Sequence, residues 1–118
     1  MAWMHHKGRN RHHYEYWVDY LDKGGIPIQM PFEDALEMIC DFLGAAKAYS
    51  KNSKTEFSYK YEYEIWWKNK ISKPIAMHIQ TKMFCELMFK RMRNENSDNC
   101  LKKDIAKEIY NKATNLIN

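Results

Sequence analysis

The chain is poor in the residues that cross-link or interrupt a fold. Its 118 residues include only three cysteines, four glycines and three prolines. Cys40, Cys85 and Cys100 lie far apart, and none belongs to a C-x-x-C pair. Disulfide-rich secreted domains and zinc ribbons depend on paired or closely spaced cysteines, so the sequence argues against both classes. We expect reduced thiols in a cytoplasmic protein.

Long apolar runs and the common hydrolase motifs are missing too. No stretch approaches the roughly 20 apolar residues that a membrane-spanning helix needs. The N-terminus has no continuous apolar segment typical of a signal peptide. There is neither a glycine-rich phosphate loop nor a G-x-S-x-G elbow. These absences predict a protein with no membrane partner and remove the best-known nucleotidase and serine-hydrolase signatures.

The sequence contains enough apolar residues to form one hydrophobic core. Hydrophobic residues make up 45% and charged residues 29%, as in ordinary globular proteins. A chain of this length closes a single core and has little room for a second. We therefore expect residues 1–118 to form one domain. A net charge of +4 is too small to indicate nucleic-acid binding by itself.

Apolar residues recur at helical spacing over much of the chain. Pro31 suits the start of a helix. The stripe that follows consists of Phe32, Ala35, Leu36, Ile39, Phe42, Leu43 and Ala46. Thr81 to Arg93 has an apolar side and a basic end, and a last helix is expected after Asp98, its expected N-cap. These patterns predict an all-α protein, a compact bundle of about five helices.

The segment from Tyr59 to Lys70 fits two structures. Its three tyrosines alternate as in a strand, but the first and third also share a helix face with Trp66. We favour the helix. Aromatic rings interleaved with lysines can bind nucleic acid, but Glu62 and Glu64 would repel a phosphate backbone. Core packing is therefore the preferred interpretation of these rings.

The most informative segment is W-M-H-H-K-G-R-N-R-H-H-Y-E-Y-W, residues 3–17, where four of the five histidines fall within nine positions. Histidine ligates metals, transfers protons near neutral pH and, when charged, binds phosphate. Arginine binds anions in a bidentate manner. Gly8 permits a sharp turn that would bring one histidine of each pair together. The candidate phosphate-binding or partner-binding residues are Lys7, Arg9, Asn10 and Arg11, and the candidate metal ligands are His5, His6, His12 and His13.

Each candidate site also has a plainer interpretation. The histidines could stack in an aromatic core while the arginines solvate a turn. That core would contain Trp3, His6, His13, Tyr16 and Trp17. Glu37 and Asp41 lie one helical turn apart and could join the histidines around a hard cation. The plainer interpretation is that both carboxylates are simply solvated on the outer face of their helix.

Three blocks of the sequence resemble an uncharacterised family of bacterial and phage proteins, the domain of unknown function 5662. The blocks are A-W-M-H-H-K-G-R-N-R-H-H-Y-E-Y-W, M-P-F-E-D-A-L-E-M-I-C-D-F-L-G-A-A-K-A-Y and M-H-I-Q-T. The resemblance covers residues 3–92 and leaves 99–118 as an extra C-terminal helix. Members of the family resemble helical HD-type metal phosphohydrolases, in which an upstream half supplies the defining His-Asp pair.

The resemblance implies a partial HD-like scaffold, because the upstream half has no counterpart before Trp3. It leaves six site positions in this sequence: His5, His6, His12, His13, Glu37 and Asp41. A complete hydrolase site is then not expected within one chain. The extra C-terminal helix is expected to cover the core surface that the upstream half would otherwise bury.

These observations lead to two expected functions. The first is a small intracellular binding protein that engages a nucleotide, a protein or a nucleoprotein through its His/Arg-rich turn. A phage or mobile-element product that inhibits a host-defence nucleoprotein or sequesters a nucleotide would fit it. The alternative is a phosphohydrolase that uses a divalent metal ion, its only expected cofactor, at a site completed in a homodimer. General nucleic-acid binding ranks below both.

Overall fold

The computed structural model describes residues 12–19, 26–72 and 76–118. These residues form four α-helices: α1 (Phe32–Ser53), α2 (Tyr59–Ser72), α3 (Ile79–Glu95) and α4 (Lys103–Ile117). None of these four is long and apolar enough to cross a membrane. The all-α class is confirmed. The prediction of about five helices is wrong, because the described part of the N-terminal segment forms a 3₁₀ turn and a short strand pair instead.

The segment before α1 is the only place where strands occur within the described residues. The 3₁₀ turn covers Tyr14–Trp17 and leads into β1 (Val18–Asp19). This strand pairs antiparallel with β2 (Ile26–Pro27). The Ile28 N–H also donates to the Trp17 carbonyl at 2.6 Å. The pairing brings the 3₁₀ turn back alongside the start of α1.

Helix α1 begins and ends as its sequence predicts. Pro31 precedes the first helical residue with φ −58°, and Glu33 lies in the first turn, where negative charge is favourable. The helix ends at Lys54, whose φ of 57° is left-handed and whose N–H donates to the Ser50 carbonyl. The predicted stripe supplies the buried face, which consists of Ala35, Leu36, Ile39 and Leu43. Phe42, at the edge of the stripe, stays 39% exposed.

The ambiguous segment from Tyr59 is helical, as predicted. The Ser58 hydroxyl accepts from the Tyr61 N–H at 3.4 Å near the start of α2. Trp66 is buried and stacks on Phe89, with ring centroids 5.6 Å apart and an interplanar angle of 19°. This pair confirms core packing for the middle of α2, although Tyr61 remains exposed.

Helix α3 is the centre of the bundle and packs against both α2 and α4. His78 caps it, because its Nδ1 accepts from the Gln80 N–H at 3.0 Å. The helix ends at Asn96, which is left-handed with φ 49°. Its core-facing apolar side chains are almost fully buried: Phe84, Cys85, Met88, Phe89 and Met92.

Helix α4 starts later than predicted. Asp98 precedes a 3₁₀ helix (Asn99–Leu101) and makes no side-chain capping bond, so its predicted role as the N-cap of the last helix is wrong. The α-helix itself begins at Lys103. The buried part of its stripe consists of Ala106, Ile109, Tyr110 and Ala113, whereas Leu116 at its free end is 56% exposed.

A chain of buried hydrogen bonds joins α4 to the rest of the core. The Tyr110 hydroxyl donates to the Met30 carbonyl at 2.7 Å and accepts from the Gln29 amide at 2.9 Å. The Met30 N–H donates to the Thr81 hydroxyl at 3.2 Å. The Gln80 amide donates to the Tyr110 carbonyl at 3.2 Å. The segment leading into α1 is therefore fixed to both α3 and α4.

Candidate binding groove at His13

One face of α1 forms the wall of a groove whose other side is the N-terminal 3₁₀ turn. Four residues of α1 at helical positions i, i+3, i+4 and i+7 share this face. They are Met38, Asp41, Phe42 and Ala45, and His13 and Tyr14 complete the lining. The cavity has a volume of about 460 Å³, which lies within the range of small-molecule sites. We call it the His13 groove.

The apolar lining of the groove is held by the core. Phe42 meets the buried Phe89 edge to face, with ring centroids 5.7 Å apart and an interplanar angle of 77°. Tyr14 and Met38 are half-buried and pack against the core. Because these side chains are held from behind, the exposed surface of the groove is a preformed apolar wall.

Two polar side chains, one from each side of the groove, also line it. His13 and Asp41 are both exposed, and they come from segments 28 residues apart in sequence (41 − 13 = 28). An imidazole donates hydrogen bonds to an anion when it is protonated, and a carboxylate accepts them from amino or ring N–H groups. The exposure of His13 contradicts its predicted stacking in an aromatic core, because the 3₁₀ turn directs Tyr14 and Trp17 toward the core instead.

The structure brings together only part of the predicted site. His12 is half-buried, and Glu37 is exposed one turn before Asp41 but does not line the groove. The remaining predicted residues lie outside the described residues: His5, His6, Lys7, Arg9, Asn10 and Arg11. Among the residues that the structure does describe, no group of three or more His, Cys, Asp or Glu side chains could hold a metal ion.

The cysteines do not supply a nucleophile. Burial raises the pKa of Cys85 to about 12 and that of Cys100 to about 11. Burial also raises the pKa of the half-buried Cys40, and the nearby carboxylates of Glu37, Asp41 and Asp98 raise it further. Because each pKa is raised above the ordinary value of a thiol, none of the three side chains favours the thiolate form that acts as a nucleophile. This matches the sequence-based interpretation of Cys85 as a buried apolar residue, whereas Cys40 is only half-buried.

Sequence reasoning missed most of the groove wall. Phe42 was assigned to the core, and Met38 and Ala45 were not assigned at all. A weak signal was present, because Met38, Phe42 and Ala45 form a second apolar stripe beside the core stripe of α1. A stripe of this kind predicts a contact but does not indicate what makes it.

Comparison with known proteins identifies a family whose function is unknown. A family model described as "Family of unknown function (DUF5662)" matches residues 1–91. No curated protein and no solved structure matches the chain. The matched region contains all the described residues that line the His13 groove, and it stops before α4 begins.

Proposed function

The chain belongs to this family of unknown function, and we propose that it is a small cytoplasmic binding protein for a nucleotide. The observation that supports the proposal is the His13 groove, where an apolar wall meets one imidazole and one carboxylate. A nucleotide combines a planar apolar ring, hydrogen-bond donors at the ring edge and a phosphate. The groove and the segment that precedes it offer a counterpart for each.

The ring would lie against the wall of the groove. Tyr14 and Phe42 present aromatic surface and Met38 presents a polarisable thioether. Stacking on an aromatic side chain contributes about 1–3 kcal/mol per base in other proteins. Asp41 would accept a hydrogen bond from an amino or ring N–H group, which favours bases that carry such donors at the edge facing α1.

The phosphate would be bound by the basic turn. Arg9 and Arg11 stand four and two residues before His13 in the sequence, and we assign them to the phosphate together with an imidazole N–H of His13. Lys7 and Asn10 would complete this set. Asp41 keeps the phosphate away from α1 by repulsion, so the base and the phosphate can occupy the groove in only one orientation.

The biological role that we propose for this site is capture of a nucleotide, either free or as part of a nucleoprotein. A phage or mobile-element product that sequesters a signalling nucleotide, or blocks a host-defence nucleoprotein, needs binding without turnover. A shallow groove with a largely apolar lining is suited to binding of this kind.

Calorimetric titration of the full chain with nucleoside triphosphates, nucleosides and inorganic phosphate tests the proposal. Replacing both Arg9 and Arg11 by alanine is expected to weaken nucleotide binding by more than a hundredfold, because two charge-assisted hydrogen bonds are lost at about 1.5–3 kcal/mol each. The charge-matched control replaces the exposed Lys51 and Lys112 and should bind as the wild type does. Unchanged affinity in the arginine variant, with its helical circular dichroism intact, would disprove the proposal.

The Asp41→Asn variant separates base recognition from phosphate recognition. It is expected to lose discrimination among the four bases by about tenfold while its affinity for inorganic phosphate stays the same or rises, because a repelling carboxylate is removed. Glu37→Asn removes the same charge one turn away, outside the groove, and serves as its control.

A metal-dependent phosphohydrolase on an HD-like scaffold is the second candidate. One observation favours it: His13 and Asp41, two of the predicted metal ligands, line the same groove. Further ligands would have to come from the other histidines or from a second copy of the chain, which makes a homodimer part of this candidate.

Elemental analysis and solution mass of untagged protein distinguish the two candidates. The binding protein is expected to be free of metal, with a nucleotide affinity that a chelator does not change. One divalent ion per chain, lost when His12 and His13 are replaced by alanine and present in a dimer, would instead establish the hydrolase and justify a screen of phosphoester substrates.

A further inference from the structure

A second pocket lies further along α1, where the end of this helix meets the start of α2. Its volume is also about 460 Å³. Tyr49 and Ser50 line it from α1, and Tyr61, Glu62 and Ile65 line it from α2. It shares no lining residue with the His13 groove. We call it the Glu62 pocket.

The carboxylate of Glu62 is the unusual feature of this pocket. Glu62 is only 5% exposed, and no hydrogen bond or ion pair to a described residue satisfies its side chain. No lysine or arginine of the described chain lines the pocket. Burial raises the pKa of this carboxyl group, because its charged form loses hydration. A cation in the pocket would stabilise the charged form.

The walls of the pocket are suited to a cation that carries apolar substituents. Tyr49 is 72% exposed and Tyr61 is 59% exposed, which leaves their rings free for contact. The face of a tyrosine ring attracts a cation through its quadrupole. The C-terminal end of α1 adds partial negative charge at Ser50, and the exposed Glu56 adds a second carboxylate at the rim.

From this juxtaposition of a glutamate that is 5% exposed and two exposed tyrosine rings, we propose that the Glu62 pocket binds a small molecule with a methylated ammonium group. The rings contact the methyl groups, and Glu62 balances the charge. The same carboxylates repel phosphate, so this site is independent of the proposed nucleotide groove.

Choline is a suitable probe, because 3,3-dimethyl-1-butanol is its uncharged isostere with a carbon in place of the nitrogen. We expect saturable amide shift changes around Tyr49 and Tyr61 in an NMR titration of the full chain with choline. The isostere should bind about tenfold more weakly, because it cannot interact with the carboxylate or with the quadrupoles of the rings.

Variants identify the residues responsible. Glu62→Gln is expected to weaken choline binding about tenfold, and Tyr61→Leu about fivefold, which keeps apolar contact but removes the aromatic face. Glu64→Gln removes the same charge from an exposed position on the same helix and should bind as the wild type does. Thermal unfolding of each variant checks that it is folded. Equal binding of choline and its isostere, no saturable shifts at the pocket, or wild-type affinity in Glu62→Gln would each overturn the proposal.

Discussion

A chain that ends at Ser97 is expected to lose cooperative folding, although it retains the whole family-matched region, residues 1–91. The reason is that α4 covers one side of α3. Ile109 and Tyr110 are at most 9% exposed, and Cys100, Ala106 and Ala113 are almost fully buried. Without them, the face of α3 that contains Phe84 would be open to water.

The expected loss is comparable to the total stability of a domain of this size. Burying one large apolar side chain contributes about 1.5–3 kcal/mol, and the whole free energy of unfolding is about 5–15 kcal/mol. Truncation also removes the Tyr110 hydroxyl from the Met30 carbonyl, where a hydrogen bond of 2.7 Å is present. The Met30 carbonyl would then bind water instead, and the net contribution of this hydrogen bond, about 0.5–1.5 kcal/mol, would be lost as well.

Thermal unfolding by circular dichroism and a proton–nitrogen NMR spectrum test this prediction. The truncated chain should show no sharp transition and poor peak dispersion. A chain that lacks only residues 116–118 is the control and should unfold much as the full chain does, because Leu116 is 56% exposed. Cooperative unfolding of the truncated chain near the wild-type temperature would show that the family-matched region folds without α4.

Apolar spacing predicted α1, α3 and α4 because each of them buries one stripe, whereas α2 buries only Trp66 among its described apolar side chains and was ambiguous in sequence. The stripe on α1 identified Ala35, Leu36, Ile39 and Leu43 correctly, since a 3.6-residue period is visible in sequence without any knowledge of partners. The start of α4 was wrong for a tertiary reason. The Asp98 carboxylate lies 3.8 Å from the Lys47 ammonium of α1 rather than on its own helix, and Cys100 turns into the core.

The sites were harder to predict than the helices, because each is made by segments that only the fold brings together. Asp41 could be identified as a candidate from its spacing to Glu37, and the family resemblance placed it in one site with His13, but residue spacing alone does not indicate that these two side chains line one groove. Glu62, by contrast, could not be identified as a candidate site residue from the sequence. In the sequence it appears as a solvated charge that repels phosphate, and in the fold it is 5% exposed in a pocket between two helices.

Replacing Phe84 by alanine is expected to lower the free energy of unfolding by about 3–5 kcal/mol, the usual cost of emptying a fully buried aromatic site. Phe84 is 0% exposed. Its ring lies edge to face against Phe32 at 6.3 Å and Tyr110 at 5.2 Å. It thus joins the first turn of α1 to the middle of α4, and the cavity would remove support from both.

Chemical denaturation measures this effect, and two variants bracket it. Phe84→Leu retains most of the volume and should cost less than half as much, whereas Lys90→Ala on the exposed side of α3 should cost almost nothing. A loss below about 1 kcal/mol in Phe84→Ala would mean that the core collapses around the vacancy, contrary to the packing described here.

The same variant also tests whether the His13 groove is supported separately from the centre of the core. Phe42 rests on Phe89, whereas Phe84 contacts Phe32 and Tyr110. At a temperature where both variants are still folded, Phe84→Ala should therefore keep its nucleotide affinity. Phe89→Ala should lose it about tenfold, because Phe42 would no longer be held in place. Equal losses in the two variants would mean that the groove depends on the stability of the whole bundle rather than on the local contact between Phe42 and Phe89.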